Sequence, residues 1–233
     1  VLPVGYLQAV DNELNREPAD AFGGPDSAHA SFTDTQKAIS YSMTAFFTTG
    51  GIRGGKKKLD KFYPRSYNMG IKSDVYKALM GFSKMRFGED IDFSIRIFDN
   101  GYRCRLFPEA WVYHKRRTDF RKFFKQVYNS GIARINLYKK YPSSLKLVHL
   151  LPAVFTIGVF LLCLSALLLC SFVPLSLLLL YSILIFIDSA THYKSIKIGF
   201  LSVGAAFTQL MGYGLGFIEA WWKRCVRGLD EFQ

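Results

Sequence analysis

The feature that most limits how this chain can fold is a long C-terminal stretch that carries no formal charge. Residues 147–187 contain no Lys, Arg, Asp or Glu, and a second uncharged run covers residues 198–218. A helix needs about 20 apolar residues to cross the hydrocarbon core of a bilayer. The stretch is too long, and too far from the N-terminus, for a signal peptide. We therefore predict a membrane region over residues 147–222, with spans at about 147–170 and 174–188 and a third segment at 198–220.

Basic residues collect immediately before this membrane region. The net charge is +12, and ten Lys or Arg but one Asp lie between His114 and Lys146. Cations beside a span mark its cytoplasmic side and attract anionic headgroups. No nucleic-acid-binding motif accompanies the charge, so we expect a membrane partner and no nucleic acid. The charges predict a multi-pass membrane protein in which the part before the spans faces the cytoplasm.

The third segment leaves the number of crossings open. If it crossed the bilayer, the basic tail at 223–233 would lie outside, against the charge rule. The segment contains five glycines and could instead be re-entrant or interfacial. Two full spans plus this element, or three spans, both remain possible.

Residues 1–146 have the mixed composition of a globular α/β region. Apolar spacing and capping signals predict helices over 5–16, 33–47, 73–80, 89–99 and 119–138. Extended segments are predicted over 19–22, 103–107 and 110–114. The four cysteines have neither metal nor disulfide spacing, which is typical of a reducing compartment. We place a first domain at 1–118 and a basic amphipathic helix with its linker at 119–146.

Two basic elements each allow two interpretations. The loop around Arg53, rich in glycine and lysine, can contact phosphate through its N–H groups and cations, or can be a solvated surface loop. The helix at 119–138 has aromatic residues opposite cations. It can lie in the bilayer interface, pack on the globular domain, or do both.

Several blocks, taken in order, resemble one enzyme family. They are Asn68-Met69-Gly70, Met80-Gly81-Phe82-Ser83, Gly88-Glu89-Asp90-Ile91-Asp92, Gly101-Tyr102-Arg103 and Trp111-Val112-Tyr113-His114. Their order and spacing resemble those of family-2 glycosyltransferases, which are inverting enzymes with the GT-A fold. The similarity covers roughly residues 1–140 and is greatest to bacterial, membrane-anchored members. It implies the C-terminal portion of a GT-A domain followed by transmembrane helices.

The resemblance implies a set of site residues. Asp90 matches the family's general base and Glu89 its acidic neighbour, at a helix N-terminus that favours the ionised carboxylate. His114 matches a histidine found near the metal and diphosphate, and its alternative is a structural hydrogen bond. The other matched residues would bind the donor and its diphosphate, although the cations could face lipid phosphates instead: Asn68, Gly70, Arg53, Lys115, Arg116 and Arg117. The implied cofactor is a divalent metal, Mn²⁺ or Mg²⁺, and the implied partners are a nucleotide-sugar and a lipid-linked or glycan acceptor.

The chain departs from the family pattern in two ways. The family's Asp-x-Asp element is missing, and we expect it upstream of Val1 in a longer protein. The Gln-x-x-Arg-Trp motif of processive synthases is also missing, because Gln126 and Arg134 have the wrong spacing. This favours transfer of a single sugar. The alternatives are a non-catalytic membrane scaffold and a lipid-binding module that keep the fold.

Overall fold

The computed structural model describes residues 1–27, 29, 31–49 and 62–230. Its elements, in chain order, are α1 (Tyr6–Arg16), β1 (Ala21–Gly23), β2 (Asp26–Ser27), α2 (Asp34–Thr44), α3 (Phe46–Thr49), β3 (Met69–Ile71), α4 (Ser73–Ala78), α5 (Glu89–Asp99), β4 (Cys104–Leu106), β5 (Val112–Tyr113), α6 (Phe120–Lys140), α7 (Leu151–Leu168), α8 (Ser176–Tyr193) and α9 (Ile196–Trp221). The chain divides into two units. The first contains Val1–Ser31 and Lys56–Lys115, and the second contains Phe32–Gly55 and Arg116–Gln233.

The first unit is built on short strands. β1 lies between β3, which is antiparallel to it, and β4, which is parallel to it. β2 and β5 form a separate parallel pair. Asp20 joins the three strands of the larger sheet where β1 begins: its carboxylate accepts hydrogen bonds from the Arg103 backbone N–H and from Lys72 Nζ, each at 2.9 Å. These contacts lower the pKa of Asp20, because both donors favour the ionised form.

Two apolar clusters hold this sheet. On one side, α4 and α5 cover β1 through a cluster of buried side chains: Ala21, Val75, Leu79, Phe93 and Ile97. In the second cluster, Ala19, Phe107 and Ala110 pack against residues of α1. The helical spacing of Phe93 and Ile97 places both on the buried face of α5.

The second unit is organised around α9. α6 and α9 run parallel, because residue contacts advance together along both helices. Gly204 faces Phe120, Gly212 faces Val127, Gly216 faces Tyr128, and Arg224 donates a hydrogen bond to Asn136 at 3.0 Å. Glycines let two backbones approach closely. A Cβ on Gly131 would come within 2.2 Å of the Tyr213 carbonyl oxygen.

The remaining helices of this unit also contact α9. The predicted capping box opens α2, where Thr33 and Gln36 bond to each other's backbone N–H groups. Phe155 of α7, Tyr181 of α8 and Phe207 of α9 form a cluster with ring centroids 5.5–5.9 Å apart.

The mixed α/β class with C-terminal apolar helices is confirmed. In the described part of the chain, three helical segments are long and apolar enough to cross a membrane: Leu147–Leu168, Val173–Tyr193 and Ile196–Val226. The second extends beyond the predicted limit at residue 188. The third is a continuous helix, because its five glycines pack within the helix without interrupting it.

Other predicted boundaries differ from the structure. The helices α2 and α3 belong to the second unit together with α6 to α9. The helix predicted over 33–47 is interrupted: α2 ends at Thr44, and the short α3 begins at the exposed Phe46. The second residue of the predicted basic tail, Arg224, is buried and donates a hydrogen bond to Asn136 of α6. The burial of Arg224 arises from a contact between residues that are distant in sequence.

Candidate functional site

The acidic pair of the first unit opens α5. Gly88 precedes the helix with a φ of 88°, a conformation that glycine adopts without strain, and Glu89 and Asp90 form the first turn. Asp90 Oδ1 accepts a hydrogen bond from the Ile91 N–H at 2.8 Å. Asp90 Oδ2 lies 3.4 Å from Nη1 of Arg65. The carboxylate is therefore oriented on both sides while 15% of the Asp90 side chain stays exposed.

A buried ion pair fixes the loop that leads to this turn. Asp92 is fully buried, and its Oδ2 accepts hydrogen bonds from Ser83 Oγ at 2.7 Å and from Arg96 Nε at 3.0 Å. Arg96 also donates to the carbonyl oxygens of Leu79 and Gly81, at 2.6 and 2.7 Å. Five donors on one guanidinium allow this bridging. The network ties residues 79–83 to the helix that carries Asp90.

Glu89 is half-buried beside Asp90 in the same turn. Two acidic residues at a helix N-terminus interact favourably with the helix dipole. That interaction stabilises α5 whether or not the pair has a chemical role.

Asn68 and Gly70 lie at the start of β3. The buried Asn68 side chain accepts a hydrogen bond from Tyr6 Oη at 2.6 Å and donates one to the Ala110 carbonyl at 2.9 Å. A Cβ on Gly70 would come within 2.2 Å of the Phe22 ring, so glycine is needed here for packing. Both residues therefore have structural contacts, and their binding of a donor stays a prediction.

His114 follows β5 and stacks on the ring of Tyr67, with centroids 4.0 Å apart. The Tyr67 hydroxyl donates a hydrogen bond to Asp26 Oδ1 at 3.0 Å. No group of three or more His, Cys, Asp or Glu that could hold a metal ion occurs among the residues that the structure describes. Mn²⁺ and Mg²⁺ are bound through several ligands, mostly oxygen atoms. His114 as one ligand of a metal ion stays a prediction.

The predicted basic residues are divided between the two units. Lys115 is exposed at the end of the first unit. In the second, the backbone carbonyl of Arg116 accepts a hydrogen bond from Gln36, and Arg117 Nε donates to Gln126 Oε1 at 3.0 Å. Arg53 lies outside the described residues.

Sequence reasoning missed Arg65 and the network around Asp92. An Asp92–Arg96 pair at spacing i, i+4 is a recognisable helical signal. Arg65 precedes Asp90 by 25 residues and has no motif of its own. Only the folded chain brings it to the acidic turn.

The sequence model of Glycosyl transferase family group 2 matches residues 63–189. The match begins before Arg65, includes Asp90 and His114, and continues through α6 and α7 into α8. It thus extends further toward the C-terminus than the similarity predicted over residues 1–140. No curated protein sequence matches the chain. Because the matched segment covers more than half of its residues and contains the acidic turn, the chain belongs to the family-2 glycosyltransferases, which transfer sugars.

Proposed function

We propose that this chain transfers a sugar from a nucleotide-sugar to an acceptor hydroxyl with inversion, and that Asp90 is the general base. The observation that carries the proposal is the Asp90 carboxylate itself. It is oriented by the Ile91 N–H and by Arg65, at a rigidly held helix N-terminus inside the segment matched by the family. A fixed carboxylate that remains partly exposed is suited to take a proton from a bound hydroxyl.

The proposed reaction is a single displacement at the anomeric carbon of the donor sugar. The acceptor oxygen attacks the anomeric carbon while its proton moves to Asp90. The bond between that carbon and the diphosphate oxygen breaks, and the nucleotide diphosphate leaves with the electron pair. Arg65 holds the Asp90 carboxylate in place. Glu89 would orient the turn or an acceptor hydroxyl.

The remaining predicted residues serve the donor. Cations stabilise a leaving diphosphate, and we assign that role to Arg53, Lys115, Arg116 and Arg117. Asn68 and Gly70 would shape the wall near the donor sugar. A divalent metal, Mn²⁺ or Mg²⁺, would neutralise charge on the diphosphate, with His114 as one ligand. The GT-A fold of the complete domain belongs to the same proposal.

The proposed acceptor is a lipid-linked or cell-surface polysaccharide precursor. The matched segment includes the apolar helix α7 and most of α8, and basic residues precede these helices. This arrangement supports a multi-pass protein of the bacterial inner membrane with its catalytic part facing the cytoplasm. An enzyme held there would meet acceptors carried on lipids.

The test is release of nucleotide from a panel of nucleotide-sugars by the full-length membrane protein with native lipid extract as acceptor. Asp90→Asn keeps the size of the side chain and removes its basicity. We expect release to fall about 10²- to 10⁴-fold, the usual contribution of a general base. Asp99→Asn is the matched control: it changes an exposed Asp in the last turn of the same helix and should leave release unchanged.

Parallel assays with Mn²⁺, Mg²⁺ or EDTA test the metal requirement. Equal release by wild type and Asp90→Asn would reject Asp90 as the base. No release by wild type from any donor, even with native lipid, would favour the membrane scaffold. Anionic-lipid binding without release would favour the lipid-binding module.

A further inference from the structure

We propose that α9 does not cross the membrane. It lies along the bilayer surface together with α6, and the chain crosses only twice, through α7 and α8. The proposal concerns the second unit alone and does not depend on the sugar-transfer chemistry. The surface it describes binds lipid, with its cations toward anionic headgroups.

The two ends of α9 lie at the end of α8 and at the start of α7. Its N-terminal end follows α8 directly, and Gly199 packs against Ala190 and Phe186. Its C-terminal end packs at the start of α7, where Phe217 and Ala220 form a cluster with Ala153. In a hairpin of two crossing helices, the end of the second and the start of the first lie on the same side of the membrane. Both ends of α9 are therefore on one side.

α9 covers only part of the surfaces of α7 and α8. The buried residues of α7 and α8 are Ala153, Thr156, Ile185 and Ser189. Thr156 Oγ1 lies 3.5 Å from the Leu210 carbonyl oxygen, and Ser189 donates a hydrogen bond to Ser202 at 2.7 Å. Between positions 157 and 184, which the structure describes throughout, no residue is buried. A third crossing helix packed in the bundle would bury residues of α7 and α8 along their length. α9 instead buries residues only in the half of each helix nearer the base, and its contacts reach as far as the ring of Tyr181, which packs on Phe207.

The helix that runs beside α9 is the strongly basic α6. α6 contacts α9 from Phe120 near Gly204 to Asn136 at Arg224. α6 also exposes five cations, Arg121, Lys122, Lys125, Lys139 and Lys140. A charged side chain at the centre of a bilayer is costly, so α6 cannot lie in the hydrocarbon. A helix parallel to α6 and in contact with it along about 20 residues lies at the same level.

The surface of α9 agrees with this position. Its large exposed apolar side chains occur only near its ends, at Ile196, Phe200 and Trp221, with Trp222 just beyond. Tryptophan is enriched at the membrane–water interface. By contrast, α7 exposes Leu, Ile, Val and Phe along its whole length. A non-crossing α9 also keeps Lys223 and Arg227 on the side of the α6 cations, as the charge rule requires.

Two native cysteines provide the test. Cys170 is exposed in the turn between α7 and α8, and Cys225 is exposed after α9. In full-length protein with the other cysteines replaced, each would be labelled by a membrane-impermeant maleimide in right-side-out and inside-out vesicles. Lys146→Cys, at an exposed position before α7, gives the reference side.

We expect Cys225 to react in the same vesicle orientation as Lys146→Cys, and Cys170 only in the opposite one. Reaction of Cys225 in the orientation of Cys170 would show a third crossing and overturn the proposal. Labelling of all three from one side would overturn the two crossings. If a cysteine variant fails to fold, a fluorescent protein fused after Gln233 in the wild-type chain gives an independent result. With Lys146 on the cytoplasmic side, a fluorescent fusion supports the proposal. A non-fluorescent fusion on the other side of the membrane contradicts the proposal.

Discussion

Replacement of Gly216 by alanine tests the close packing of α6 on α9. The added Cβ would lie 2.1 Å from the Tyr128 carbonyl oxygen and 2.8 Å from the carbonyl carbon. Both atoms belong to the backbone of α6, so no side-chain rotation relieves the clash. Ordinary contact between such atoms is about 3.5 Å, and the two helices would have to separate locally by about 1 Å.

The expected loss of stability follows from two opposing effects. Overpacking of a well-packed contact costs about 1–3 kcal/mol, and we expect the upper end because a whole helix must move. Alanine is favoured over glycine inside a helix by about 1 kcal/mol. The net destabilisation for Gly216→Ala is therefore about 2 kcal/mol. For a chain of this size it corresponds to a fall in Tm of about 4–8 °C.

The assay is thermal unfolding of the full-length protein in nanodiscs, followed by tryptophan fluorescence. Trp221 and Trp222 report directly on the end of α9. Gly158→Ala is the matched control, because a Cβ on Gly158 in α7 meets nothing within 4 Å. The control should keep or raise the Tm. Gly131→Ala, whose Cβ would meet the Tyr213 carbonyl at 2.2 Å, should behave like Gly216→Ala.

The double variant adds a further constraint. Once the first methyl group has separated the helices, the second should cost less, so the losses should add to less than their sum. A Tm for Gly216→Ala equal to or above that of Gly158→Ala would refute the close contact of α6 and α9. It would also remove the evidence from α6 that α9 lies at the membrane surface.

Two further predictions concern the first unit. Asp92→Asn leaves the Arg96 guanidinium without its buried counter-charge, so we expect a loss of about 3 kcal/mol in unfolding free energy, with nucleotide release falling as well. Asp90→Asn should lower release with a much smaller fall in Tm, because it removes only a helix-dipole interaction and a partly exposed ion pair. An unchanged Tm for Asp92→Asn would contradict the role of the buried ion pair. Asp20 has a lowered pKa in the folded state, so its contribution is present above the unfolded value of 3.8 and is lost as pH falls through the folded pKa. Asp20→Asn should therefore lower the Tm at pH 7 but not in strong acid, and a difference that persists in acid would contradict this assignment.

Elements with local signals were predictable from the sequence. The capping box of Thr33 and Gln36 fixed the start of α2, and Asp119 caps α6 by accepting the Lys122 N–H at 2.8 Å. Gly88 and the acidic pair located the start of α5. In each case, the residues that determine the structure lie within one helical turn of each other.

Contacts between distant segments had no such signal. Arg65 reaches Asp90 across 25 residues, and Tyr67 joins His114 to Asp26 through a ring stack and a hydrogen bond. Neither arrangement depends on a repeated spacing. The same is true of Tyr41 of α2, whose hydroxyl donates a hydrogen bond to Asp188 of α8, far away in the chain.

The number of membrane crossings is the property that amino-acid composition predicts least well in this chain. Hydropathy measures how favourably a side chain leaves water, and it does not distinguish burial in lipid from burial in protein. The size of the side chains does distinguish them. α7 exposes large apolar residues, whereas α9 presents Gly212, Gly214 and Gly216 to the backbones and side chains of its neighbours. Small residues on adjacent helix faces are useful only where other helices approach closely. The glycines of α9 therefore explain its close packing, and the cations of the adjacent α6 are what favour a position at the membrane surface over a further span.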